Sequence, residues 1–349
     1  MEKVFIAMSG GVDSSVAAAL LVEQGYSCMG ATMKLHSDET ADTCLTSNDI
    51  EDARQVANNL GIDYQVYDFY DDFEDKVVRP FIECYLGGRT PNPCVECNRN
   101  LKFRALLNKA KEKGYDYIAT GHYVRREFDE KIGKFVLKKA VDSSKDQSYV
   151  LYSLTQDELA HTLFPLGNLT KAEIRSLAEQ KGFINANKKD SQDICFVPDG
   201  KYAEFIVNRV GEIEKGNFVD ENGNVLGVHK GIIYYTIGQR KGLGVTFGKP
   251  MFVSDIRPDT REVVLTENDG LFKSSLVADN VNLISLDSLE TPTRLKARIR
   301  YNSPEQDAVA FIKDGLLYVE FDTPQRAITR GQAVVLYDGD TVLGGGTII

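Results

Sequence analysis

The feature that most constrains this chain is the regular alternation of strand and helix patterns over its first 120 residues. Apolar strand-like runs fall at 3–8, 27–34, 63–69 and 115–120. Helical patterns at 12–24, 48–60 and 99–113 lie between them, and each stops at a glycine: Gly25, Gly61 and Gly114. Glycine just past the last periodic residue ends a helix without a Cβ penalty. Strand–helix–strand alternation predicts a parallel sheet covered on both faces. Residues 71–86 read as a further helix, followed by a loop rich in Gly, Pro and Asn. Two more helical patterns follow at 155–162 and 170–181, the second opening with the capping box Thr170-x-x-Glu173 and a Leu169/Ile174 staple.

The pattern changes near residue 200. Turn signals at Asp220-Glu221-Asn222-Gly223, Asp314-Gly315 and Asp338-Gly339 separate apolar-rich runs, as hairpins require. The last ~75 residues read as all-β, a small barrel or sandwich. The expected architecture is α/β: a catalytic parallel-sheet domain over 1–200, a small central domain over 201–273 and an antiparallel β-barrel-like domain over 274–349. No apolar run approaches the ~18 residues that span a membrane. The start has no charged leader, which predicts a cytoplasmic chain without a membrane partner.

One junction carries clear chemistry. Ala7 and Met8 close the first strand, and Ser9-Gly10-Gly11-Val12-Asp13-Ser14-Ser15 leads into a helix bearing Val16, Leu20 and Leu21. Two glycines let the backbone turn sharply and present bare N–H groups, and the helix N-terminus behind them favours an anion. Ser9, Ser14 and Ser15 add hydroxyls, while Asp13 is suited to a magnesium ion bridging phosphates. No Gly-Lys-Ser/Thr follows, which excludes the lysine-containing P-loop. The run resembles the PP-loop of N-type ATP pyrophosphatases, which split ATP between the α- and β-phosphates and adenylate an oxygen.

The net charge of −10 argues against an indiscriminate nucleic-acid binder but leaves room for a local basic patch. Arg294, Lys296, Arg298 and Arg300 alternate with mostly apolar residues, which on a strand places four cations on one face. The six cysteines are Cys28, Cys44, Cys84, Cys94, Cys97 and Cys195. Cys28 and Cys84 read as small buried hydrophobes and Cys44 carries no signal. Arg99 and Lys102 beside Cys97, at a turn before a helix, predict a lowered thiol pKa.

Three further segments narrow the reading: Gly88-Arg89-Thr90-Pro91-Asn92-Pro93-Cys94-Val95-Glu96-Cys97-Asn98, Thr120-Gly121-His122-Tyr123 and Asp190-Ser191-Gln192-Asp193-Ile194-Cys195-Phe196. With Ser143-Ser144-Lys145-Asp146-Gln147-Ser148-Tyr149 and the terminal Gly344-Gly345-Gly346, they resemble the tRNA-specific 2-thiouridylases, the MnmA/TrmU family. The likeness runs over essentially the whole chain. It implies an ATP-dependent exchange of the C2 oxygen of the wobble uridine for sulfur. It places ATP on the loop from Ala7 to Ser14, with the adenine near Met33 and Gly121. It makes Cys195 the persulfide carrier and Cys97 the partner nucleophile that closes a disulfide as sulfur leaves. It brings Asn92, Pro93 and Cys94 to the target base, and His122, Lys145, Asp146, Gln147, Arg300, Tyr301 and Gln332 to tRNA. Its expected partners are lysine, glutamate and glutamine tRNAs and an upstream persulfide donor, a cysteine desulfurase or a sulfur-relay protein.

The chain departs from the family at Cys94, where many members carry Asp. A thiol does not inherit acid/base work from a carboxylate. The change also creates Cys94-x-x-Cys97, so Cys94, Cys97 and Cys195 form an alternative ligand set for a [4Fe–4S] cluster with one open iron. Two other functions compete: a PP-loop enzyme that amidates a small molecule, and a non-catalytic tRNA-binding or sulfur-carrier protein. The first predicts ammonia or glutamine dependence without need of Cys195, and the second predicts binding without pyrophosphate release.

Overall fold

The structure is a computed structural model that describes residues 1–36, 47–188, 194–197, 200–244 and 248–349. Cys44 and Asp190–Asp193 lie outside the described residues.

Five parallel strands form the first sheet, in the order β3 (Asp63–Asp68), β2 (Ser27–Lys34), β1 (Lys3–Ala7), β4 (Tyr117–Ala119) and β7 (Thr162–Leu163). Strands buried on both faces need apolar residues throughout, and Val4, Phe5 and Ile6 are fully buried. Their period of two divides the core. Val4 and Ile6 join the helices Val12–Glu23, Ser47–Leu60 and Lys171–Gln180 on one face. Phe5 faces Phe73, Phe81 and Phe103 on the other. The capping box at Thr170/Glu173 forms as expected.

Two local expectations change. The helix expected over 155–162 is Gln156–Ala160, because the Thr162 hydroxyl donates to the Glu158 carbonyl (2.6 Å) and the β-branched residue passes into β7. The helix expected over 99–113 begins earlier, as three continuous segments: Pro93–Cys97, the π-helical Asn98–Ala105 and Leu106–Glu112. Pro93 opens it because a missing N–H costs nothing in a first turn.

Two elements were not foreseen. A hairpin of β5 (Val124–Asp129) and β6 (Lys134–Lys139) leaves the first sheet, and β6 pairs with the last strand. A helix at Tyr202–Val210 leads into the central sheet, whose order is β10 (Phe252–Arg257), β11 (Glu262–Thr266), β8 (Gly216–Val219) and β9 (Val225–His229). The C-terminal strands run β12 (Phe272–Leu283), β15 (Leu316–Arg326), β14 (Gln306–Lys313), β13 (Thr293–Arg298), β16 (Ala333–Asp338) and β17 (Thr341–Ile348). Pairing of β12 with β17 closes them into a six-stranded antiparallel barrel, which removes the exposed edges. All three expected turns join strands, and Asp314 and Gly315 both hold positive φ (53° and 76°), as a two-residue hairpin turn demands. Among the described residues, no helix is long and apolar enough to cross a membrane.

Candidate nucleotide and thiol site

The loop after β1 is built by its own hydroxyls. The Ser9 amide donates to Ser14 Oγ (3.2 Å), and the hydroxyls of Ser14 and Ser15 donate to the Gly11 carbonyl (3.1 and 3.0 Å). Gly10 has φ +71°, and a Cβ there would lie 2.2 Å from the Asp49 carbonyl oxygen, so only glycine fits. The side chains of Met8, Val12 and Met33 are buried, while Ala7 is half-buried at the strand end. Gly121 is required by the chain itself. A Cβ on it would stand 2.9 Å from the Ser14 nitrogen, so the chain itself occupies that space.

Four residues that hold this loop were not foreseen. Asn185 Nδ2 donates to the Gly10 carbonyl (3.0 Å) and to Ser15 Oγ (2.9 Å). Lys188 Nζ meets the Gly10 carbonyl (3.2 Å), Asp49 (2.5 Å) and Asp52 (2.7 Å). The Tyr123 hydroxyl donates to Asp13 Oδ1 (2.6 Å), and Lys171 Nζ reaches both Asp13 oxygens (2.7 and 2.9 Å). Asp13, expected as a magnesium ligand, is therefore an ion-pair partner in this state, and a cation on that carboxylate would displace Lys171. Tyr123 stood in a noted motif and Lys171 in the noted capping box. No local pattern says that Asn185 and Lys188 fold back on Gly10.

The thiols lie in a different setting from the one their sequence neighbours suggest. Cys97 is buried within the helical run, and burial raises its pKa, with Lys102 opposing. This overturns the expected lowering, because Arg99 turns to Glu96 (2.9 Å) and the Tyr152 hydroxyl (3.4 Å) instead. Cys195 is half-buried, and burial pushes its thiol up to about 11, with the backbone N–H groups of Cys195 and Phe196 opposing. Its neighbour Phe196 is locked edge-on to Phe73 and Phe81 at 5.5 and 5.1 Å. Cys97 and Cys195 share one hydrophobic core, whereas Cys94 is exposed. Burial also raises Cys28, to about 11, and Cys84, in keeping with inert thiols. Among the described residues, no three His, Cys, Asp or Glu side chains are grouped to hold a metal ion.

The residues expected at tRNA are buried or half-buried. His122 is buried, its Nδ1 is 2.8 Å from Thr120 Oγ1, and burial holds its pKa well below the usual range. Asp146 is buried and accepts from the Ala140 amide (3.0 Å) and the Ser148 hydroxyl (2.7 Å). Gln147 Oε1 accepts from the Tyr123 amide (2.9 Å), and Lys145 is half-buried. Tyr301 donates to the Asp146 carbonyl (3.1 Å), which joins the barrel to the 145–147 loop. Burial raises its phenol pKa, with nearby Asp146 and Cys94 adding and Arg298 and Lys145 opposing. Asn92 is half-buried and Pro93 buried, just ahead of Cys94.

Three of the four cations expected on one strand face lie on β13, and each of the four has a partner. Leu295, Ala297 and Ile299 are buried as the alternation requires. Yet Arg294 pairs with Asp322, Lys296 lies 3.3 Å from Asp307, and Arg298 reaches the Tyr301 carbonyl. Arg300, beyond the end of β13, donates to the Ala327 carbonyl (2.5 Å) and Thr329 Oγ1 (2.9 Å). The Arg294 and Lys296 pairs are solvent-exposed, whereas Arg298 and Arg300 are half-buried against backbone carbonyls.

A five-stranded parallel sheet with a hydroxyl-braced glycine loop behind its first strand has the architecture of a nucleotide-binding α/β enzyme domain. Family models match the chain at 2–199 (tRNA methyl transferase HUP domain), 203–267 (tRNA methyl transferase PRC-barrel domain) and 273–348 (Aminomethyltransferase beta-barrel domain). The chain is 52% identical to the tRNA-specific 2-thiouridylase MnmA of Clostridioides difficile, over 99% of this chain and 98% of that protein. It is likewise 52% identical to that of Acetivibrio thermocellus, over 99% of each. The chain belongs to the tRNA-specific 2-thiouridylase family. Among solved structures, the U34-tRNA thiolase NcsA from Methanococcus maripaludis with its [4Fe-4S] cluster aligns with 60% of this chain and 67% of that chain. Its 21% identity and TM-score of 0.36 are too low to carry the cluster over.

Proposed function

We propose that this chain replaces the C2 oxygen of a tRNA wobble uridine by sulfur, with Mg-ATP as the activating substrate and Cys195 as the sulfur carrier. The reading is carried by one observation: a braced PP-loop and the Cys97/Cys195 pair occur in a single chain that matches 2-thiouridylases over its full length. In the first step the uridine C2 oxygen attacks the α-phosphorus and pyrophosphate leaves. The loop amides, Ser9 and Ser14 take the phosphate oxygens, and Lys171 keeps a cation beside the cradle. The target uridine has to leave its stack to reach this crevice, where Asn92, Pro93 and Cys94 meet it.

In the second step the terminal sulfur of a Cys195 persulfide attacks C2 and AMP leaves with the former carbonyl oxygen. The Cys97 thiolate then attacks the Cys195 Sγ, which frees the 2-thiouridine and leaves a Cys97–Cys195 disulfide. A thiol reductant resets the pair. Both thiols are raised by burial, so Cys195 gives up its proton when it takes on the persulfide sulfur and Cys97 must lose its own before it attacks. A [4Fe–4S] cluster on Cys94, Cys97 and Cys195 is the alternative sulfur route. Lysine, glutamate and glutamine tRNAs and a cysteine desulfurase or relay protein are the proposed partners.

The test is nucleoside mass spectrometry after incubation with unmodified tRNA, Mg-ATP and a persulfide donor. The expected product is 2-thiouridine, formed with one AMP each. An ATP-dependent product that carries nitrogen in place of sulfur would give the chain to the amidating enzymes instead.

A further inference from the structure

The C-terminal barrel grips the backbone just ahead of Cys94. Gln332, at the entrance to β16, donates from Nε2 to the carbonyls of Thr90 (2.9 Å) and Pro91 (3.1 Å), more than 240 residues away in sequence. The Thr90 amide returns a bond to the Arg330 carbonyl (2.8 Å). Between them Gly331 has φ +89°, and a Cβ there would stand 2.8 Å from the Thr90 oxygen, so only glycine lets the two segments close. Gln332 is anchored from behind, where its carbonyl accepts from the Ile348 amide (2.8 Å) and the Gly331 amide donates to the Ile348 carbonyl (2.8 Å).

The central sheet holds the same loop. Arg330 reaches Asp255 Oδ1 (2.5 Å) and the Ile256 carbonyl (2.9 Å), and Ile256 packs on Gly88, where a Cβ would meet its Cγ2 at 2.9 Å. Gly88 to Pro91 is thereby clasped by two β-units, and the chain runs from it directly into Asn92, Pro93 and Cys94. A glutamine side-chain amide has two N–H donors. Both are committed to these carbonyls, which leaves none for a phosphate.

We propose that Gln332 is a positioning residue: it sets where Asn92, Pro93 and Cys94 stand by fixing the Thr90 and Pro91 carbonyls, and so makes the target-base loop answer to the seating of the barrel. The inference rests on the proposed function in taking this loop as the place where the base arrives. Direct contact of Gln332 with tRNA is the competing role.

Two measurements on the full chain separate them, with Gln332→Ala and the size-matched Gln332→Met. The first needs no tRNA: the rate of Cys94 alkylation by iodoacetamide, read by peptide mass spectrometry. Both variants are expected to change the Cys94 alkylation rate several-fold from that of wild type. The second is thiolation at saturating tRNA, expected to slow on the order of tenfold while tRNA Kd stays within about twofold, since small misplacements of reacting groups cost rate rather than binding. Weakened tRNA binding with unchanged Cys94 alkylation and an unchanged rate at saturation would overturn the proposal. Wild-type levels of all three would overturn it as well. If wild type itself makes no 2-thiouridine, the functional reading fails, and the Cys94 alkylation rates still decide whether Gln332 holds the loop.

Discussion

Lys171 and Asp13 form a two-pronged ion pair across the mouth of the nucleotide loop, with the ammonium 2.7 and 2.9 Å from the two carboxylate oxygens. The lysine is 12% exposed and the aspartate 30%. A pair so placed orients Asp13 and keeps a cation beside the phosphate cradle. Lys171→Met is expected to slow tRNA-dependent pyrophosphate release by on the order of tenfold or more. Its stability cost is expected at about 1–2 kcal/mol, less than for a fully buried pair. Pyrophosphate release assays and urea unfolding check the two effects, and release at the wild-type rate would remove Lys171 from the nucleotide site.

Gly121 touches the loop from the other side. A Cβ would collide with backbone atoms of Asp13 and Ser14 at 2.9–3.0 Å, and backbone cannot swing aside. Gly121→Ala is expected to destabilise the fold by about 1–3 kcal/mol and to weaken ATP binding on the order of tenfold. Calorimetry with ATP checks it, and unchanged affinity would show that the loop yields.

The Cys195 thiol, raised to about 11, is protonated at neutral pH. Because only the thiolate reacts, its alkylation by iodoacetamide should rise about tenfold per pH unit from pH 8 to 10. Peptide mass spectrometry follows this site directly. A plateau near pH 9 would mean that the free protein already stabilises the thiolate.

Burial lowers the pKa of His36, His122 and His229 from the ordinary 6.5. The native state therefore favours neutral rings, so their contribution to stability is complete above pH 6.5 and is lost as pH falls below it. Unfolding free energy is expected to drop by roughly 1–3 kcal/mol between pH 7 and pH 5. His122→Gln should flatten that slope, as judged from urea midpoints at the two pH values. An unchanged slope would mean that His122 charges freely in the folded state.

The parallel sheet was legible because its strands are buried on both faces, which writes continuous runs such as Val4-Phe5-Ile6 into the sequence. The nucleotide loop was legible because its chemistry is local to seven residues. The hairpin of β5 and β6 was not. Arg125, Arg126, Lys138 and Lys139 make it read as polar chain, and its pairing with β17 is a tertiary event. Lys171 is an unmarked position inside the Thr170/Glu173 capping box, and its ammonium works on a residue 158 positions earlier. The sign of the Cys97 shift was missed for a related reason. Spacing reports that Arg99 and Lys102 are near, but only the fold reports that the thiol is buried and that Arg99 faces Glu96.

The central claim is that sulfur travels on Cys195, and a single-turnover transfer of isotope-labelled sulfur tests it most directly. The protein is loaded with labelled persulfide, freed of donor, and mixed with unmodified tRNA and Mg-ATP. Wild type should deliver about one labelled 2-thiouridine per chain, and Cys195→Ser none while still releasing pyrophosphate. Labelled 2-thiouridine from Cys195→Ser would contradict the account.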